Sequence, residues 1–188
     1  MAWLTRDQMA AMGFAAVGEK VFLSDKASFY NCSAMRLGSH VRVDDFCVVS
    51  AGDGGIEIGN YIHLAVFSSL MGAGRIVLSD FCNLSSRVSV YSSNDDYSGR
   101  ALTNPMVPPE YTAVTRADVV LGRHVIVGSG SVVLPGVIME DGVAIGALSL
   151  VKDSCTAFGV YVGVPAVRIQ ERRRDLLTLE RRLLGRPD

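Results

Sequence analysis

A marked excess of charge of either sign is missing from this chain. Lys plus Arg number 18 and Asp plus Glu 19, a net charge of −1. Such a balance carries no broad electropositive footprint, so no nucleic-acid partner is expected. Long apolar runs are missing too. No window of about 18 residues is apolar enough to span a membrane, and Arg6 and Asp7 interrupt what would be the apolar heart of a secretory signal. Histidine is scarce: His40, His63 and His124 leave little material for an all-histidine metal site, and no metal is expected. The four cysteines, Cys32, Cys47, Cys82 and Cys155, form no C-x-x-C pair. That excludes the usual pattern of a zinc ribbon or thioredoxin-like site and suits reduced thiols in a cytoplasmic protein. Aromatics are only 7% while hydrophobic residues reach 49%, so the core must be built from aliphatic side chains. At 188 residues the chain suits one domain.

What is present is a repeat. A bulky apolar residue recurs at a step of six: Val17, Leu23, Phe29; Leu37, Val43, Val49; Ile58, Leu64, Leu70; Leu78, Leu84, Val90; Leu121, Val127, Val133; Met139, Ile145, Val151. The next residue is often Gly or Ser, and the fourth after it is small or Val. Six residues are too few for a helix but suit a short strand and a corner. Strand alternation points the bulky residue inward and its neighbours outward. Three such units close a triangular coil, and coils stack at the strand-pairing distance of about 4.8 Å. The sets start at 17, 37, 58, 78, 121 and 139, so every insertion follows the third unit and leaves at one edge of the prism. A chance repeat would scatter its insertions, so the solenoid is preferred to an ordinary β-sandwich of alternating strands. The largest insertion, residues 92–118, holds Pro105, Pro108 and Pro109. A loop of that length on a compact solenoid is usually functional.

The expected organisation is an N-terminal cap or short helix over 1–16, a solenoid over 17–163 with the loop 92–118 extruded from it, and a C-terminal helix over 164–188. In that helix Ile169, Leu176, Leu177, Leu183 and Leu184 recur at helical spacing. The cap covers an otherwise open sheet edge.

The runs Leu121-Gly122-Arg123-His124-Val125-Ile126-Val127-Gly128 and Ile145-Gly146-Ala147-Leu148-Ser149-Leu150-Val151 resemble those of hexapeptide-repeat acyltransferases, and Gly163-Val164-Pro165-Ala166 resembles their closing Gly-x-Pro-Ala motif. Within that family the chain is similar to galactoside, maltose and O-antigen sugar acetyltransferases. The resemblance implies an all-β fold, a left-handed parallel β-helix, against the usual right-handed crossover. It implies a homotrimer with active sites between subunits, acetyl-CoA as co-substrate, and a sugar or nucleotide-linked sugar as acceptor. Its implied place is surface-polysaccharide synthesis. Antibiotic acetylation is a second activity of the same fold. A γ-type carbonic anhydrase would need three zinc histidines, and a non-catalytic scaffold would need none of the chemistry below.

Acyl transfer from a thioester needs a nucleophile, a route for its proton and a donor to the developing oxyanion. His40 and His124 share a corner slot and read as solvated surface residues. His63 precedes inward Leu64, so it should point outward, among mostly apolar neighbours at a subunit interface. The resembling enzymes carry their catalytic histidine in the long loop, where this chain has Asp95 within Asn94-Asp95-Asp96. The expectation is therefore that His63 is the base, facing Asp95 or Asp96 of a neighbouring chain, with Asn94, Asp96 and Tyr97 binding acceptor. A route without histidine has the acceptor amine attack directly, its proton passing to Asp95 or to the departing sulfur. By resemblance, Ser129, Gly130, Gly146 and Ala147 line the pantetheine slot, and Lys152 and Arg168 lie near the CoA phosphates.

Overall fold

The computed structural model describes residues 2–185. Three parallel sheets run along the molecule. The first joins strands beginning with Ala16–Val17, the second those beginning with Phe22–Leu23, and the third those beginning with Ser28–Tyr30. They contain six, eight and six strands. Each of the six apolar triplets contributes one residue to each sheet, in order, as the step of six requires. The architecture is the left-handed parallel β-helix.

Register follows from burial. Leu37 pairs with Ile58, Ile58 with Leu78, and Leu78 with Leu121 on the first sheet. Leu64, Leu84 and Val127 line up on the second, and Leu70, Val90 and Val133 on the third. All of these except Leu37 and Ile58 are at most 1% exposed. A one-residue slip would turn every one of them to solvent. At the corners the fourth position is indeed buried and small: Cys47, Ser68, Cys82, Val88 and Ser131 lie inside.

One residue before it, the backbone turns left-handed. Along the edge between the first and second sheets this slot holds His40 (φ 58°), Tyr61 (57°), Phe81 (64°) and His124 (60°). The left-handed conformation costs roughly 1–2 kcal/mol per residue. Here it aligns the rings. His40 stacks on Tyr61 at 4.5 Å, Tyr61 on Phe81 at 4.8 Å and Phe81 on His124 at 4.9 Å. One coil's rise is also the stacking distance, and each ring pair returns about 0.5–1.5 kcal/mol. The two corner histidines are therefore part of an edge column, not solvated tips. The His124 side chain is only 10% exposed.

The ends are covered as an open sheet edge demands. Within the 1–16 segment, α1 (Arg6–Ala11) starts on a Thr5–Gln8 capping box, and Met9 packs into the core. The C-terminal segment differs from a helix over 164–188. Val167–Glu171 is a strand that turns back antiparallel on Gly159–Val162, and α2 is confined to Asp175–Leu183. Ile169 therefore belongs to a strand, because the growing sheet edge offers unpaired backbone groups that capture the chain before it can coil.

Candidate active site

The loop 92–118 leaves at the third-to-first-sheet edge and begins as a two-stranded hairpin, Ser93–Asn94 against Thr115–Arg116. Beneath it lies a cavity of about 960 Å³. Its walls include Tyr91, Asn94, Asp95 and Tyr97, with Pro105, Val107 and Val114 from the far side of the loop. Three of the expected loop residues are thus brought together. Asp95 is exposed, makes no hydrogen bond or ion pair with the described residues, and lines this space. Such a carboxylate can accept hydrogen bonds from an ammonium or hydroxyl.

Asp96 does not join them. It accepts from Ser98 N (3.2 Å), Ser98 Oγ (2.7 Å), Arg100 N (2.9 Å) and Ala101 N (3.2 Å). These bonds, led by the Ser98 hydroxyl, hold its carboxyl below the usual range. Asp96 fixes the loop's turn and has little acceptor capacity left for a ligand.

His63 does point outward, from Ile62–Leu64 of the second sheet, but its surroundings are polar. The outward neighbours on the same face are Arg42 and Asn83. Ile62 is buried and Tyr61 belongs to the edge column, so neither furnishes an apolar patch. His63 Nε2 lies 2.9 Å from Asp44 Oδ2, and Nδ1 lies 3.2 Å from Asn83 Oδ1. Arg42 Nε donates to the other Asp44 oxygen at 2.7 Å. Burial alone would raise the Asp44 carboxyl, yet the His63 and Arg42 bonds outweigh it and hold it below its ordinary value. The carboxylate oriented on His63 is therefore Asp44 of the same chain. No hydrogen bond joins His63 to Asp95 or Asp96 within it.

Ser129, Gly130, Gly146 and Ala147 gather at the edge between the second and third sheets, one coil above another. Gly130 N donates to Ser86 O (3.0 Å), and Leu148 N to Ser129 O (2.9 Å). Gly130 sits at φ +71°, and a Cβ there would come within 2.7 Å of the Leu148 side chain. At Gly146 a Cβ would meet Val162 at 2.6 Å. At Gly130 it is the left-handed backbone that calls for glycine, while at Gly146 a Cβ would require the Val162 side chain to shift. Lys152 lies elsewhere, past the third-sheet strand Leu150–Val151, and its ammonium pairs with Asp153 at 2.7 Å. Arg168 is on the terminal antiparallel strand and pairs with Glu171. Each cation is thus paired with a carboxylate of its own segment. Among the described residues no group of His, Cys, Asp and Glu is arranged to hold a metal ion.

Ser85 escaped the sequence reading. It follows inward Leu84 and looked like one more small corner residue. It is part-buried on the same edge as Ser129 and Gly130, and among the described residues no group bonds its hydroxyl. Nothing in a single sequence separates it from Ser24 or Ser79, which fill equivalent slots.

A triangular β-helix with a loop-roofed cavity on one edge and a column of small residues on the next has the form of a hexapeptide-repeat acyltransferase. The chain is 57% identical over 180 residues to the dTDP-4-amino-4,6-dideoxy-D-glucose acyltransferase of Escherichia coli, covering 96% of this chain and 94% of that one. It is 40% identical to AntD, an N-acyltransferase from Bacillus cereus, whose structure in complex with dTDP-4-amino-4,6-dideoxyglucose and coenzyme A superposes with a TM-score of 0.94 over 98% of each chain. Solved AntD chains include one with a serine replaced and another with an aspartate replaced ten positions further on. A chain of E. coli strain K12 named for O-acetyl transfer in lipopolysaccharide biosynthesis is 29% identical over 64% of this chain and 59% of its own length. No family model matches the sequence. The chain belongs to the dTDP-4-amino-4,6-dideoxyglucose acyltransferase family, and it is an acyltransferase.

Proposed function

We propose that this enzyme moves an acyl group, acetyl by preference, from acyl-CoA to the 4-amino group of a dTDP-linked 4-amino-4,6-dideoxyhexose. The observation that carries this is the near-full-length identity to the E. coli acyltransferase named for that acceptor. AntD, bound to the same nucleotide sugar and coenzyme A, supports it. The amine nitrogen attacks the thioester carbonyl, the C–N bond forms, the C–S bond breaks, and CoA leaves as the thiol. Asp95, unpaired in the cavity, holds the amine and takes its surplus proton. Ser85 and Asp95 stand ten positions apart, the spacing of the two substituted AntD positions, and Asp96 is already committed to its turn. On this reading Ser85 Oγ donates to the thioester oxygen or the departing sulfur, and the Ser129–Gly130 and Gly146–Ala147 corners take the pantetheine arm. Asn94 and Tyr97 hold the sugar. Lys152 and Arg168 would have to exchange their acidic partners for CoA phosphates.

A second reading keeps His63 as the base, lent across a homotrimer interface. The Asp44 contact favours it, because a carboxylate on Nε2 fixes the orientation of the ring. The trimer would weigh three times the 20.1 kDa chain. Both co-substrates are multiply charged and cannot cross a bilayer unaided, which supports a cytoplasmic reaction. The product, a glycosyl donor, suits surface-polysaccharide assembly.

The test is thiol release from acetyl-CoA with dTDP-4-amino-4,6-dideoxyglucose as acceptor. Turnover is expected to fall about a hundredfold or more in Asp95→Asn and only a few-fold in His63→Gln. The reverse ranking would move the base to His63. Absence of turnover with this acceptor, but turnover with a sugar hydroxyl, would end the N-acylation reading.

A further inference from the structure

Among the described residues that wall the cavity, Asp95 and Arg116 are the charged ones. The hairpin brings them to one place. Ser93 pairs with Arg116, and Asp95 follows two residues on, just past the end of its strand. The cavity thus offers an anion and a cation together, the charges that complement the ammonium and the diphosphate of a 4-amino nucleotide sugar.

Arg116 has a placeholder partner. Its Nη1 donates to Asp53 Oδ2 at 2.8 Å, and Asp53 lies in the linker between Val48–Ala51 and Ile56–Ile58, at the edge from which the loop emerges. The two side chains are 58% and 85% exposed. A pair so solvated is weakly held. A diphosphate brings more charge and a bidentate geometry that the guanidinium fork matches.

We propose that Arg116 is the diphosphate anchor of the acceptor site, held by Asp53 until the nucleotide sugar displaces that carboxylate. The inference rests on the acceptor class proposed above and adds the residue that reads its nucleotide half. Asp95 takes the amine end and Arg116 the phosphate end.

The test is steady-state kinetics with acyl-CoA and the dTDP-aminosugar varied separately, together with calorimetric titration of dTDP alone. Arg116→Ala is expected to raise KM for the aminosugar at least tenfold and to weaken dTDP by a similar factor. Its KM for acyl-CoA and its kcat at saturating acceptor should stay within about twofold. Arg116→Lys should fall between the two. Asp53→Asn should tighten dTDP a few-fold, because the competing anion is gone. An unchanged KM for the aminosugar in Arg116→Ala, or a rise confined to acyl-CoA, would overturn the assignment. So would weaker dTDP binding in Asp53→Asn. Failure of the wild-type enzyme to bind dTDP or to use the aminosugar would instead overturn the parent reading.

Discussion

Asp44, Asp95 and Asp96 are three carboxylates whose neighbours give them three different tasks. Asp44 is buried against His63 and Arg42, Asp96 is consumed by its own turn, and Asp95 is unpartnered. Asp96→Asn is accordingly expected to cost mainly acceptor binding, by loosening the loop, with kcat at saturating acceptor reduced far less than in Asp95→Asn; paired kinetics of the two variants check this. Asp44 also sets an acid limit. Its folded pKa lies below the unfolded value, so its contribution to stability is present above the unfolded pKa near 4 and disappears as pH falls through the lower folded one. Urea melts between pH 5 and pH 2 should show wild type losing stability more steeply than Asp44→Asn. Parallel curves would mean that the His63 and Arg42 contacts contribute nothing to folding.

At the scale of elements, α2 is fastened by one buried acid. Glu180, 9% exposed, accepts from His124 Nε2 at 2.7 Å and from Arg123. Arg172 adds bonds to the carbonyls of His124 (2.7 Å) and Gly142 (3.0 Å), and Arg174 lies 4.4 Å over the Phe158 ring. Glu180→Ala leaves His124 and Arg123 without their acceptor and should cost about 1–3 kcal/mol. Amide exchange in α2 should rise before that in the coils. Burial first, then the charges of Arg123 and Arg172, hold His124 below its ordinary pKa. A neutral His124 is therefore the folded form. Stability is lost as pH falls from its unfolded value near 6.5 toward the folded one. Exchange in α2 should accelerate over that window, and His124→Gln should remove the dependence.

For the whole molecule, each coil touches mainly the coils above and below, so stability is close to a sum of neighbouring interfaces. A cavity in the middle interrupts that sum. Leu84→Ala, at a fully buried site between Leu64 and Val127, should cost about 2–5 kcal/mol. It should also split the single melting transition of the wild type, which calorimetry would resolve. If the proposed trimer forms, its melting temperature will rise with protein concentration, because association binds the folded state alone. A concentration-independent transition would argue for a monomer.

The step of six by itself determined the prism, the assignment of each triplet to three sheets, the buried register and the edge from which the long loop leaves. These follow from local rules: strand side chains alternate, and a coil can bury only one bulky residue per side. Asp95 could also be singled out from the sequence, since it stands where the resembling enzymes have their catalytic histidine, and its catalytic role is the proposal made above. Tertiary structure decided what depends on neighbours a full coil or more away. His40 and His124 became ring-stack members because left-handed corners repeat at the stacking distance. His63 met Asp44 and Asn83, 19 and 20 residues away, instead of the apolar residues beside it in sequence. Arg116, 63 residues from Asp53, reached both it and the cavity. Such encounters are fixed by the stacking of coils and the closing of the loop, and no local periodicity encodes which side chains then meet.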